Sequence, residues 1–191
     1  MSGRQRMLHA VNVLILASLI LAGCTPVDAR WQEEVALDNG RVIVVRRQVR
    51  YDKAGGEWGR DSGWRPSGER LTFLHPLSGT EVVWSDPHRI ASYLGMVDGI
   101  VWVVARQQTC GSEHRGKPFW QAFALRVNGW APAGPGEAPA ITAPNLALDS
   151  ANYEKTSHWR FVTISQKGAL DDASRVDARM RRIQWRSDLD C

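Results

Sequence analysis

The segment Ser92–Ala105, SYLGMVDGIVWVVA, decides the fold. Asp98-Gly99 at its centre tolerates the positive φ angles of a two-residue hairpin turn, and the runs on either side are short, apolar and rich in β-branched residues. Such a turn pairs Val97 with Ile100, Met96 with Val101, Gly95 with Trp102 and Leu94 with Val103. Leu94, Met96, Val101 and Val103 then fill one face, while Tyr93, Val97, Ile100, Trp102 and Val104 fill the other. A hairpin that is apolar on both faces must be covered on both, which implies two packed layers. Gly95, opposite Trp102, leaves room for the indole.

The same turn chemistry recurs outward from this hairpin. Asn39-Gly40 punctuates Trp31–Val49, and a two-residue loop there sets Asp38 opposite Arg41, Leu37 opposite Val42, Val35 opposite Val44 and Glu33 opposite Arg46. In that register Trp31, Val35, Leu37, Val42 and Val44 share the core face. Leu71–Leu74 and Glu81–Trp84 flank Pro76-Leu77-Ser78-Gly79, and with His75 opposite Thr80 the residues Leu71, Phe73, Val82 and Trp84 meet on one face. Phe119–Val127 alternates, with Phe119, Phe123, Leu125 and Val127 on one side, and Asn128-Gly129 turns the chain towards Trp130. Pro132 ends that pairing or holds it at a sheet edge.

After a Pro/Gly/Ala connector over Ala131–Pro144, His158–Ser165 reads as a last strand. The period then changes, because Leu170, Ala173, Val176 or Asp177, Met180 and Ile183 recur at three or four residues, the spacing of an amphipathic helix over about 169–185. The expected fold class is mainly β: antiparallel hairpins packed as a two-layer sandwich or meander, with one C-terminal amphipathic helix. Residues 31–191 form a single domain in this reading.

The N-terminal residues carry a different signal. Arg4 and Arg6 precede Val13–Ala22, which is apolar but for Ser18 and about half the roughly 20 residues that cross a bilayer. That is the layout of an export signal. Leu21-Ala22-Gly23-Cys24 follows directly and resembles the lipobox of bacterial lipoproteins at all four positions. The resemblance implies cleavage before Cys24, acylation of that residue, and a tether over residues 24–30. Thr25, in place of an aspartate, implies delivery to the outer membrane, facing the periplasm. Several acyl chains anchor a protein firmly without a transmembrane helix.

Trp31-Gln32-Glu33-Glu34-Val35, with Asp38, Gly40-Arg41-Val42-Ile43-Val44-Val45 and the later matches Pro118-Phe119, Phe123, Asn145-Leu146, Val162 and Lys167, is similar to a group of uncharacterised proteobacterial lipoproteins. The similarity spans about residues 31–167. It implies no activity and assigns no functional residues.

The formal charge is +4, and without Arg4 and Arg6 of the signal it falls to +2, which argues against a nucleic-acid partner. Setting aside Cys24, Cys110 and Cys191 remain, either as a disulfide in an oxidising compartment or as two free thiols.

Two surfaces are candidates for binding. Trp58 and Trp64 lie in the glycine-rich stretch Asp52–Gly68, where they either stack on a glycan or partner side chain or fold back over the sheet. Arg46, Arg47 and Arg50 either meet anionic headgroups or phosphate or, with Glu33 and Glu34, form an exposed cross-strand charge lattice. No nucleophile elbow, phosphate-binding glycine loop, zinc-protease helix or dinucleotide fingerprint occurs, and no cofactor or metal is indicated. The expectation is a lipid-anchored cell-envelope protein acting as a noncatalytic binding or structural module for an envelope protein or glycan. The alternative is a periplasmic hydrolase of polysaccharide or cell wall.

Overall fold

The computed structural model describes residues 25–53, 63–108, 116, 118–134, 136–141, 143–148, 153–173 and 182–183. The strands are β1 (Val27–Ala36), β2 (Val42–Lys53), β3 (Trp64–Leu74), β4 (Glu81–Asp86), β5 (Arg89–Val97), β6 (Ile100–Gln107), β7 (Trp120–Arg126), β8 (Gly129–Pro132) and β9 (Phe161–Val162). The helices are a single turn, α1 (Tyr153–Thr156), and α2 (Ile164–Ala173). The fold is mainly β, as the patterning implies. One sheet has the order β4-β3-β2-β1-β9 and the other β5-β6-β7-β8, and every pairing is antiparallel except β1 with β9.

The hairpin β5–β6 forms in the expected register, Val97 with Ile100 through Leu94 with Val103. Asp98 and Gly99 both have positive φ, 51° and 77°, as a two-residue turn of this kind requires. Its two faces are both covered. Leu94, Val101 and Val103 pack with Val35, Val45, Leu71 and Trp84 of the facing sheet, while Tyr93, Trp102 and Val104 pack with Trp120, Ala122, Ile141 and Ile183. A bulge at Ser92 interrupts the pairing, and the Ser92 carbonyl accepts instead from the backbone N–H groups of Asn145 and Leu146 at 3.0 and 3.1 Å. The space over Gly95 is filled by the Tyr93 phenol, which donates to Asp38, and not by Trp102.

The hairpin β1–β2 departs from expectation by one residue. Glu33 faces Val45 and Trp31 faces Arg47, because the connection has three residues, Asp38, Asn39 and Gly40, closed by a bond from Leu37 N–H to the Arg41 carbonyl at 2.8 Å. Among the described residues Asp98 is the one non-glycine with positive φ, so Asn39 does not adopt it and only Gly40, at 78°, does. A tight two-residue turn needs both, and the three-residue loop with a left-handed third residue takes its place. The slip turns every β2 side chain over. Val42 and Val44, expected in the core, are 54% and 47% exposed, while Val45, Arg47, Val49 and Tyr51 are buried.

β3–β4 pairs as read, with Leu71 opposite Trp84 and Phe73 opposite Val82. In β7–β8 Arg126 faces Gly129, so the turn residues are Val127 and Asn128, one earlier than read, and Val127 lies fully exposed. β1 begins at Val27, and Ala29 is already in the core, so this strand starts four residues before Trp31 and takes in part of the expected tether. The expected strand His158–Ser165 shrinks to Phe161–Val162 because a helix starts immediately after it. Gln166 N–H donates to Thr163 Oγ1 at 3.3 Å and Thr163 N–H to Gln166 Oε1 at 2.8 Å, a reciprocal cap that opens α2 at Ile164. The expected helical positions from 174 onward lie outside the described residues, apart from Arg182 and the buried Ile183. Among the described residues no helix is long and apolar enough to cross a membrane.

Gly95→Ala is expected to destabilise the domain by about 1–3 kcal/mol, because its Cβ would displace the Tyr93 hydroxyl from Asp38. Equilibrium urea unfolding checks this, and an unchanged midpoint would show that the site has slack.

Candidate binding surface

The one-residue slip places Arg47 inside the molecule, fully buried between the sheets. Its Nε donates to Glu69, Nη1 lies 3.4 and 3.5 Å from the two Glu33 oxygens, and Nη1 and Nη2 donate to the carbonyls of Ala147 and Ala91 at 3.0 and 3.1 Å. The guanidinium also sits 5.0 Å from the Trp31 ring centroid. Glu33 accepts further bonds from Trp31 Nε1 at 3.0 Å and Ala147 N–H at 3.2 Å, and Lys167 of α2 approaches it to 3.3 Å. Glu69 accepts from Ala91 N–H at 2.7 Å.

Burial raises the Glu33 carboxyl, but Arg47 and then Lys167 outweigh it and hold the group below the usual carboxylate range. For Glu69 burial prevails and the carboxyl is raised. The contrast runs against simple proximity, since Arg47 lies nearer Glu69. Glu33, however, has a second cation and two N–H donors, whereas Glu69 has one cation and feels the charge on Glu33. This network is closed to solvent and holds structure together. Arg47 is therefore no surface-binding residue.

Arg106 is a second buried guanidinium. Its Nε and Nη2 have no hydrogen-bond partner among the described residues, and burial lowers it to about 10 despite the nearby Glu69.

The surface that remains is the outer face of the five-stranded sheet. Arg46 is exposed and paired with Glu81, and Arg50 is exposed with Asp52 at 3.4 Å. Exposed pairs of this kind hold their side chains only weakly. Around them lie two grooves that share Gln48 and Arg70. One, of ≈ 380 Å³, is ringed by Arg30, Arg46, Arg70 and Arg160 with Gln32, Gln48 and Thr72 between them, and no carboxylate lines it. The other, of ≈ 860 Å³, runs over the end of the sheet where β1 begins, past Asp28, Arg50, Lys53, Arg65 and Arg70 to the turn at Pro87 and on to Gln108. The slip also leaves Val42 and Val44 exposed at the opposite end of this sheet, beside the exposed Leu74 and Leu77 of β3 and its turn.

Trp64 does not join this surface as a free platform. It is half-buried at the start of β3, with its ring 5.6 Å from that of Tyr153. Trp58 lies outside the described residues, as do Cys24, Cys110 and Cys191. Arg30, Arg70 and Arg160 were not singled out from the sequence. The signal for Arg30 and Arg70 was available in strand parity, since both alternate with buried neighbours, Ala29 and Trp31 for the first and Glu69 and Leu71 for the second.

Glu33 supplies a pH test. Its lowered carboxyl contributes stability that is present above the ordinary carboxylate pKa of about 4.3 and is lost as pH falls through its folded value. Glu69 acts in the opposite sense: its raised carboxyl opposes folding at neutral pH, and that opposition fades on acidification. Urea unfolding between pH 7 and pH 3 should show Glu33→Gln less stable than wild type at neutral pH, with the gap narrowing in acid. Parallel stability curves would contradict this. No known family, curated protein or solved structure matches the chain, so the reading of this surface rests on its own residues.

Proposed function

We propose that this protein is a lipid-anchored component of the bacterial cell envelope, acylated on Cys24 and held at the outer membrane facing the periplasm, where it acts as a noncatalytic binding module. The Leu21-Ala22-Gly23-Cys24 stretch supports the anchor. The observation that carries the binding reading is the carboxylate-free groove ringed by Arg30, Arg46, Arg70 and Arg160 on the outer face of the first sheet. Planar guanidinium groups on a rigid sheet match the carboxylates or phosphates of an envelope protein or glycan. The charged residues that the hidden side of the same sheet contributes, Glu33, Arg47 and Glu69, are engaged with one another and with backbone.

One set of variants tests the reading. Wild type is expected in the membrane fraction with the mass of an acylated chain starting at Cys24, and Cys24→Ser as an unprocessed or soluble form. Arg30→Glu combined with Arg160→Glu should stay acylated and membrane-bound but lose roughly tenfold or more in retention on a carboxylated or phosphorylated envelope polysaccharide at low salt. A processed, membrane-held Cys24→Ser would overturn the anchor, and undiminished retention by the arginine variant would overturn the binding surface.

A further inference from the structure

The larger groove lies where the anchor enters the fold. Only Thr25 and Pro26 separate Cys24 from Val27, the first residue of β1. Consecutive Cα atoms are 3.8 Å apart, so the Cα of Cys24 is within about 11 Å of that of Val27. Val27 pairs with Tyr51, and Tyr51 with Pro66, so one end of the sheet gathers Asp28, Lys53 and Arg65 beside that entry point. An acyl chain on Cys24 therefore holds this end against the bilayer with almost no slack. The headgroup layer is itself roughly 5–7 Å deep on each side, a large part of the tether's whole reach.

The charges at this end are unevenly satisfied. Asp28 accepts from Arg30 and Gln48, Asp52 from Arg50, and Asp86 from Arg89 and the His88 backbone. Glu69 is taken up by Arg47. Lys53 and Arg70 have no carboxylate partner among the described residues, and Gln108 Nε2 is a buried donor without one there. Among the described residues the groove thus offers unused donors and cations where its acids are already committed.

We propose that this groove seats on anionic lipid headgroups, with Lys53 and Arg70 taking phosphate oxygens, so that the domain docks on the membrane in one orientation. Arg70 then lies on the membrane side of the smaller groove, while Arg46 and Thr72 and the exposed Val42, Val44, Leu74 and Leu77 lie farther along the sheet from the bilayer. The proposal rests on the anchor reading for its geometry, and on the groove's own charges for its chemistry.

Labelling of lysine amines in the acylated full-length chain, reconstituted in vesicles, tests it. Phosphatidylcholine vesicles with added phosphatidylglycerol should slow labelling of Lys53 about fivefold or more relative to exposed Lys155, and phosphatidylcholine alone should not. Arg70→Glu should restore most of the Lys53 reactivity, as should raised salt. Equal labelling of Lys53 in both vesicle types would overturn the proposal, as would the same protection from inorganic phosphate alone, which would assign a soluble-anion site. If the intact mass shows no acyl chains, the anchor reading fails separately. Salt-sensitive protection of Lys53 by anionic vesicles would then still uphold the groove, and its absence would overturn it.

Discussion

The placement of Arg47 in the interior is the constraint on which the rest of this structure depends. A guanidinium removed from water costs several kcal/mol unless its charge and all its donors are met. Here they are met by groups from across the fold: Glu33 on β1, Glu69 on β3, the Ala91 carbonyl on β5 and the Ala147 carbonyl in the segment that precedes α1. Lys167 on α2 completes the set through Glu33. Each partner lies on a different segment, so the network can close only when both sheets and the C-terminal segment are in place. It is a device for specifying one arrangement, and the apolar clusters around it supply the burial.

That buried network also determines the outside. With Arg47 turned in, its neighbours Arg46, Gln48 and Arg50 turn out, and they align with Arg30 and Gln32 on one side and Arg70 and Thr72 on the other. The arginine-ringed groove is thus the reverse side of the register that buries Arg47. The same alternation puts Val42 and Val44 in solvent near the hairpin tip, giving the sheet an apolar end and a cationic end. A β-sheet suits this role because the core-facing residues fix the spacing of the exposed ones.

Much of the architecture was legible in the sequence where the turn left no choice. Asp98-Gly99 adopts positive φ at both positions, and the whole β5–β6 register follows. Asn39-Gly40 looks equivalent, but Asn39 can also serve in a three-residue loop, and that local ambiguity reverses a whole strand. A global signal was present: over the stretch 42–51, Ile43, Val45, Val49 and Tyr51 share parity with one polar residue, Arg47, whereas Val42 and Val44 share parity with Arg46, Gln48 and Arg50. Burying one arginine with partners brings more apolar surface inside than burying three polar groups. The parallel pairing of β9 with β1 had no such local trace, because its partner lies more than a hundred residues away. The start of α2 was readable from Thr163 and Gln166, whose spacing is that of a capping box. Of the candidate surface, Arg46 and Arg50 were legible as exposed cations, while Arg30, Arg70 and Arg160 come beside them only through sheet order.

Arg47 is a partnered interior cation, whereas Arg106, equally buried, is not matched in the same way among the described residues. Urea unfolding of Arg47→Met and Arg106→Met at pH 7 tests this most directly. Arg47→Met leaves the buried Glu69 without a cation and Glu33 with Lys167 as its remaining one, and should cost about 3–5 kcal/mol, whereas Arg106→Met removes an incompletely bonded charge and should be neutral or stabilising. An Arg47→Met protein within about 0.5 kcal/mol of wild type, as expected of a surface position, would contradict the buried register and the outer face built on it.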